Sequence, residues 1–502
     1  MTESVNASNP ANKEGQKDVA RESVTTFPPN PTVVMQASPN PTPQSQPPTV
    51  EEFHYQQKTN FNLKKASRIF VALLSFLVII IPAAFVFMKF NPFNKAVQEN
   101  KGEVVWWVLG MDETVLNNMV DDYVKDNPNA KVKLVVQSET DYRERLLNSL
   151  KSGNGPDIFT IHNSWVPMFT EYLDTLPETV YSKTDYTKDY YPVIARNMST
   201  TGGIVGIPLE YDGLTLFVNE DIFSYSGKSI PTTWDEFSSV AAGLTTRGDR
   251  SIILQSGASI GLTSNVDYWP EIVALLMLQN KSNLFSPSGQ NAYEAVFTFG
   301  EFYSGSKVWN DTLPNSTTAF AEGKVAMFFG PAKVASEIKK LNPTLKFKTV
   351  TVPQVRKDDP TEPEVAYATY WVQSVWKNSS NKLLAWNFLK YLGSEESLIR
   401  MHDRSVELGV QPMIYPRIGM RDRLINDRVA GSVVAQAPFA TSWYLADKTH
   451  DGDSGINSVV NSAYKKVVDA ASNKKAAKTP EAFFKTLLPE LRKGLLVFNV
   501  TN

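Results

Sequence analysis

Asp112, Glu113, Glu210 and Asp212 each follow a run that reads as a β-strand, so four carboxylates are placed where strand ends present groups to a ligand. Two such groups about 5–10 Å apart could act as acid and base on a glycosidic bond. The same oxygens serve equally well as hydrogen-bond acceptors for sugar hydroxyls, and no nucleophile motif accompanies them. Asp112, Glu210 and Asp212 are therefore read as ligand-binding residues, and no catalytic residue is assigned. Other chemistry is scarce. The 502 residues contain no cysteine, which removes thiolate metal sites, Cys nucleophiles, disulfides and a lipidated cysteine anchor. The 4 histidines include His54 in a Pro-rich leader, while His162, His402 and His450 lie far apart, so no metal or cofactor site is assigned. Ser226-Gly-Lys-Ser229 lacks the first glycine of a phosphate loop, with Ile222 in its place, and reads as a turn. Asp451-Gly-Asp-Ser-Gly455 begins like a calcium loop but lacks the distal glutamate, and reads as an acidic turn.

The elements that must position these groups begin beyond residue 100. Glu103 to Val108 reads as a strand, Asp112 to Asn127 as a helix, Ala130 to Gln137 as a strand, Asp141 to Ser152 as a helix, and Pro156 to Ile161 as a strand. That alternation specifies an α/β fold with a parallel sheet. Further strands are expected at Val325–Pro331 and Phe347–Pro353, with helices at Ala332–Leu341 and Lys382–Leu392. A segment of about 400 residues exceeds one core, so two lobes are expected.

Ahead of this segment, Ile69 to Met88 is an uncharged apolar run preceded by Lys64, Lys65 and Arg68. About 20 residues of helix span a bilayer, and the cationic flank stays cytoplasmic. Residues 64–90 are read as an uncleaved transmembrane signal anchor in preference to a cleaved signal peptide, whose apolar core is shorter. Residues 1–63 form a Pro-rich cytoplasmic tail expected to be disordered. The formal net charge of -2 gives no reason to expect a nucleic-acid partner. A cysteine-free domain outside the membrane suits a bacterial cell surface.

Six stretches, in order, resemble the extracellular solute-binding proteins of family 1, the maltose-binding-like receptors of ABC importers. They are Val104-Val-Trp-Trp-Val, Gly155-Pro-Asp-Ile-Phe, the run from Gly202 to Phe223, Pro231-Thr-Thr-Trp-Asp-Glu-Phe, the run from Ala319 to Pro331, and the Asn381–Leu392 helix before Gly393-Ser-Glu-Glu. The resemblance implies a periplasmic-binding-protein-like fold over 101–502, with a hinge strand near Tyr211 to Val218. Lobe 1 is expected over about 101–211 and 352–412, and lobe 2 over about 217–348 and 417–502. It implies no enzyme but a monomeric receptor that closes on a small-molecule carbohydrate, an oligosaccharide, and passes it to ABC permease subunits.

A sugar presents apolar C–H faces and a rim of hydroxyls, so aromatic side chains beside polar ones are the candidates among 10 tryptophans and 19 tyrosines. Asn163 and Trp165 follow the third strand. Tyr370 and Trp371 resemble the family's crossing back into the first lobe, and Trp443 and Tyr444 its sugar-stacking segment. Trp269 begins a helix that could face the cleft. Trp106 or Trp107, Trp234 and Trp386 are read as structural. The transmembrane anchor departs from the family, which leaves a membrane-bound glycan sensor or adhesion receptor as the alternative, ahead of a surface glycoside hydrolase.

Overall fold

The computed structural model describes residues 100–500 apart from 358, 360, 444–450, 476–477 and 499. The tail, the span at 69–88 and Tyr444 lie outside the described residues. Among the described residues no helix is long and apolar enough to cross a membrane.

The strands, in chain order, are β1 (Gly102–Val108), β2 (Ala130–Val136), β3 (Ile158–His162), β4 (Ser199–Thr200), β5 (Gly203–Ile204), β6 (Leu214–Asn219), β7 (Thr246–Arg247), β8 (Ile253–Ala258), β9 (Val325–Pro331), β10 (Phe347–Val350), β11 (Ala366–Tyr367), β12 (Trp371–Val375) and β13 (Ala440–Thr441). They build two principal sheets, ordered β12-β3-β1-β2 and β10-β6-β9-β8-β7. With helices packed on both, this is a two-domain α/β arrangement.

In the first sheet β1 runs parallel to β2 and β3, so all three carboxyl ends emerge at one edge. The strand β12 is antiparallel to β3 and sets Trp371 opposite His162, which brings the start of β12 to that same edge. Helix Glu113–Asp126 begins there because the Asp112 side chain accepts from the amides of Thr114 and Val115 at 2.9 and 3.1 Å. Its buried face, Val115, Leu116, Met119, Val120 and Tyr123, covers the sheet. The second sheet centres on β9, whose seven residues are all buried between antiparallel β6 and parallel β8. Helix Trp234–Leu244 packs over it, started by a capping box of Thr233 and Glu236.

The chain links the sheets through segments that bond to one another. Gly213 bridges Ala368, the Thr369 amide donates to the Asp212 carbonyl at 3.1 Å, and the Tyr211 amide donates to the Ile414 carbonyl at 2.8 Å. The strand β11 pairs with β13 beside them. Several extended segments thus run side by side between the two sheets.

Several sequence expectations meet the structure here. Helix Lys382–Leu392 has the expected bounds, while the expected Phe347–Pro353 strand stops at Val350. Trp106 is wholly buried, Trp234 donates to Gln279 and Trp386 donates to Asp174. Gly227 is the left-handed cap of a short helix, at φ 64, which makes Ser226–Ser229 the turn it reads as. Asp451 accepts from the amides of Asn457 and Ser458 at 2.7 and 3.1 Å and so serves the start of helix Ile456–Ser472. A close approach fixes Gly257 in β8, where an added Cβ would lie 1.9 Å from the Ala241 carbonyl oxygen. Gly257→Ala is expected to destabilise the fold by about 1–3 kcal/mol through overpacking, read as a lower urea midpoint with an unchanged slope.

Candidate functional site

The shared edge of β1, β2 and β12 opens into a cavity of about 440 Å³. From the first sheet come Leu109 to Asp112 after β1, Glu139 after β2 and Trp371 at the head of β12; Glu210 comes from the first crossing. From the second domain come Tyr268, Lys333 and the first turn of helix Val334–Leu341, and the later crossing adds Val410, Gln411 and Met413. Groups from both sheets and from the crossings thus meet in one space.

Trp371 forms the aromatic wall. Its ring meets the edge of Trp165 at 5.3 Å and 81° and of His162 at 5.2 Å and 75°. His162 is pinned in turn, Nδ1 lying 2.8 Å from Ser164 Oγ and Nε2 2.9 Å from Thr369 Oγ1. A half-buried indole held on two sides offers its remaining surface at low entropic cost.

Glu210 is the unusual charge. It is half-buried and lines the cavity, and its carboxylate has no hydrogen-bond partner among the described residues. Burial pushes its carboxyl up to about 7, against the pull of Lys333 and with help from Asp212. Asp212 is differently placed: its oxygens accept from the amides of Gly213 at 2.7 Å, Ala332 at 2.9 Å and Lys333 at 3.0 Å. Burial raises it to about 6 while those amides hold it down. Asp212 ties the first crossing to the β9 turn and thereby fixes Lys333 beside the cavity. Asp112 both lines the cavity and caps its helix.

The remaining candidates sit elsewhere. Asn163 and Trp443 line a second cavity of about 530 Å³ with Arg196, Asn197, Phe285 and Ser442. Asn163 accepts from the Tyr370 amide at 3.1 Å and donates to Ser442 Oγ at 3.2 Å, and Tyr370 donates its hydroxyl to Asn197 at 3.0 Å. Tyr370 is buried behind this network, and Trp443 stands edge-on to Phe285 at 4.9 Å. Trp165 has 0 % exposure, stacked between Tyr142 and Phe169. Trp269 is buried, and its neighbour Tyr268 reaches the cavity instead. Tyr268, Lys333, Glu139, Gln411 and Met413 escaped the sequence reading. Tyr268 and Lys333 each lie within two residues of a motif singled out there. Among the described residues no cluster of three His, Cys, Asp or Glu side chains could hold a metal.

Two α/β domains joined by several extended segments, with a mixed polar and aromatic cavity supplied by both, define a solute-binding protein. Residues 118–412, more than half of the chain, match the bacterial extracellular solute-binding protein family, and the chain belongs to that family. It is a binding protein, not an enzyme. It is similar to the diacetylchitobiose binding protein DasA of Streptomyces coelicolor, 24% identical over 300 residues, covering 58% of this chain and 69% of that one. Among solved structures it resembles the sugar-binding protein MalE of Xanthomonas citri, with TM-score 0.63, 20% identity, and coverage of 80% of this chain and 100% of that one. A cyclic α-maltosyl-1,6-maltose binding protein of Arthrobacter globiformis gives 0.62, 16%, 78% and 100% in the same order. These structural likenesses establish the fold.

Proposed function

We propose that this chain captures a carbohydrate, an oligosaccharide, in the cavity between its lobes and delivers it to the permease subunits of an ABC importer. The observation that carries the reading is that one cavity holds the Trp371 indole and the Glu210 carboxylate, which has no hydrogen-bond partner among the described residues, together with Asp112 and Lys333. A sugar ring stacks its C–H face on such an indole while its hydroxyls satisfy carboxylate and ammonium. The cavity volume lies within the usual range for small-molecule sites. The names of its relatives, which include binders of diacetylchitobiose and maltose-containing sugars, point the same way.

In this reading Asp112, Glu210 and Trp371 contact the solute directly, and Asn163 and Trp443 extend the site along the edge of the sheet. Asp212 and Tyr370 support those groups through the Lys333 and Asn163 hydrogen bonds, while Trp269 lies buried. Lobe 1 comprises about 101–211 and 352–412, and lobe 2 about 217–348 and 417–502, so the Tyr211 region is the hinge. The apolar run at 69–88 anchors the receptor in the membrane with the tail cytoplasmic, the binding domain extracellular and the chain monomeric.

A thermal-shift screen with maltotriose, diacetylchitobiose, mannotriose and tagatose, alongside amino acids and peptides, tests the ligand class. A saccharide at 100 times its dissociation constant is expected to add about 2.7 kcal/mol of stability. Stabilisation by an amino acid or peptide, with none by any saccharide, would remove the carbohydrate reading.

A further inference from the structure

Residues 451–457 lie at the carboxyl end of β3 and join the two domains. Behind them, helix Ile456–Ser472 packs against helix Gly289–Ser304 of the second domain so closely that a Cβ on Gly300 would stand 2.8 Å from the Ser472 amide. In front they grip the first domain. Arg143, only 3% exposed, donates through Nη2 to Ser454 Oγ at 3.0 Å and to Glu144 at 2.9 Å. Asn457 Nδ2 donates to Ser164 Oγ at 2.9 Å, and the Ile456 amide points at Met168 Sδ from 3.4 Å.

These contacts bracket Trp165. They fall on the residue before it, on the residue three beyond it, and next to Tyr142, whose ring stacks on the indole at 6.3 Å. Beneath them Trp165 has 0 % exposure, yet its indole N–H has no partner. Leaving a buried donor unpaired costs its full desolvation, and such a group in a native structure demands an explanation. The buried N–H groups of Trp106, Trp234, Trp309 and Trp386 are satisfied, and Trp165 shares its unpaired state with Trp376, which lies away from the strap. Trp165 also stands at the sheet edge where solutes bind in this class of fold, and its ring touches Trp371 on the cavity wall.

We propose that residues 451–457 form a displaceable strap over a second solute-contact surface, and that a saccharide reaching the end of β3 displaces the strap and accepts a hydrogen bond from Trp165. The inference rests on the carbohydrate reading. It fixes a sign: a strap that competes with solute weakens binding, whereas a strap that rivets the closed, solute-filled state strengthens it.

The test uses the full chain and the saccharide that binds best in the screen above, with maltotriose as the first probe. Ser454→Ala with Asn457→Ala removes two of the strap's side-chain contacts and is expected to raise affinity at least threefold and to speed amide hydrogen exchange at residues 163–166. Trp165→Phe keeps a ring but removes the N–H, and is expected to weaken binding at least fivefold. Equal or weaker binding by the strap variant, or parental affinity in Trp165→Phe, overturns the inference while leaving the carbohydrate reading intact. Absence of binding by every saccharide in the screen overturns both. Exchange at 163–166 needs no ligand, so a variant that merely misfolds is recognised by loss of protection throughout the chain.

Discussion

Replacing Trp371 with alanine is expected to lower saccharide affinity about 100-fold, equivalent to roughly 2.7 kcal/mol and in the range of an aromatic hot spot. The indole supplies the apolar wall of the cavity, and its position is set from two directions. Register puts it opposite His162, and edge contacts with Trp165 and His162 fix its plane. Truncation removes the stacking surface and also exposes those two rings to the cavity, so water enters where a sugar face would lie. Trp371→Phe restores a smaller face and is expected to recover about half of the lost free energy, since apolar contact scales with area. Isothermal titration of parent, alanine and phenylalanine forms gives the comparison. The phenylalanine form separates stacking from collapse of the wall. An alanine variant that binds within threefold of the parent, with its melting temperature unchanged, would show that the solute does not touch this wall.

How much of this arrangement could be read from the sequence depended on how local its cause was. The first three strands and two helices follow from runs such as Val104 to Val108 and from the Asp112 cap, all within about 60 residues. Helix Lys382–Leu392 was legible because Leu384, Trp386, Phe388, Leu389 and Leu392 are buried as its periodicity implies. The pairing of β12 with β3 joins residues about 200 apart, and no short-range pattern encodes it. Site membership was lost for the same reason. Trp165, Trp371 and Trp443 all read as aromatic groups near polar ones, yet their rings end in the core, on the cavity wall and beside a second cavity. Asp212 and Glu210 are two residues apart and both feel Lys333, yet their hydrogen bonding differs. One finds three amides and the other none. Lys333 was invisible for a further reason: an isolated lysine carries no signal until the turn after β9 brings it to the cavity.

Glu210→Gln is expected to stabilise the solute-free protein above neutral pH and to abolish most of the pH dependence of binding. The sign follows from the direction of the shift. Burial raises the folded carboxyl from 4.5 to about 7. Below about pH 4.5 both folded and unfolded forms hold the proton, and Glu210 costs nothing. Between about 4.5 and 7 the unfolded chain releases it while the folded protein retains it, so stability falls as pH rises. Above about 7 the loss is complete, on the order of 3 kcal/mol before screening by the water that reaches a half-buried group. Glutamine is never charged and avoids that cost, so the variant and parent should melt together near pH 4.5 and separate by several degrees at pH 8. Asp212, raised to about 6, keeps a residual slope of the same sign in both. Binding should move the other way. Sugar hydroxyls donate to the ionised carboxylate, so solute favours the charged form and parental affinity should drop as pH falls through 7, approaching tenfold per unit. Glutamine, with one acceptor and no charge, should bind more weakly at pH 8 and show almost no pH dependence. The paired measurement is a melting curve and a titration at pH 4.5, 6 and 8 for each protein. Parallel pH profiles in parent and variant would mean that Glu210 is not the group that couples the charge of the cavity to the solute. Opposed profiles would show why the protein keeps a destabilising carboxylate in its cavity: the same desolvation that weakens the empty protein strengthens the hydrogen bonds it makes to a bound solute.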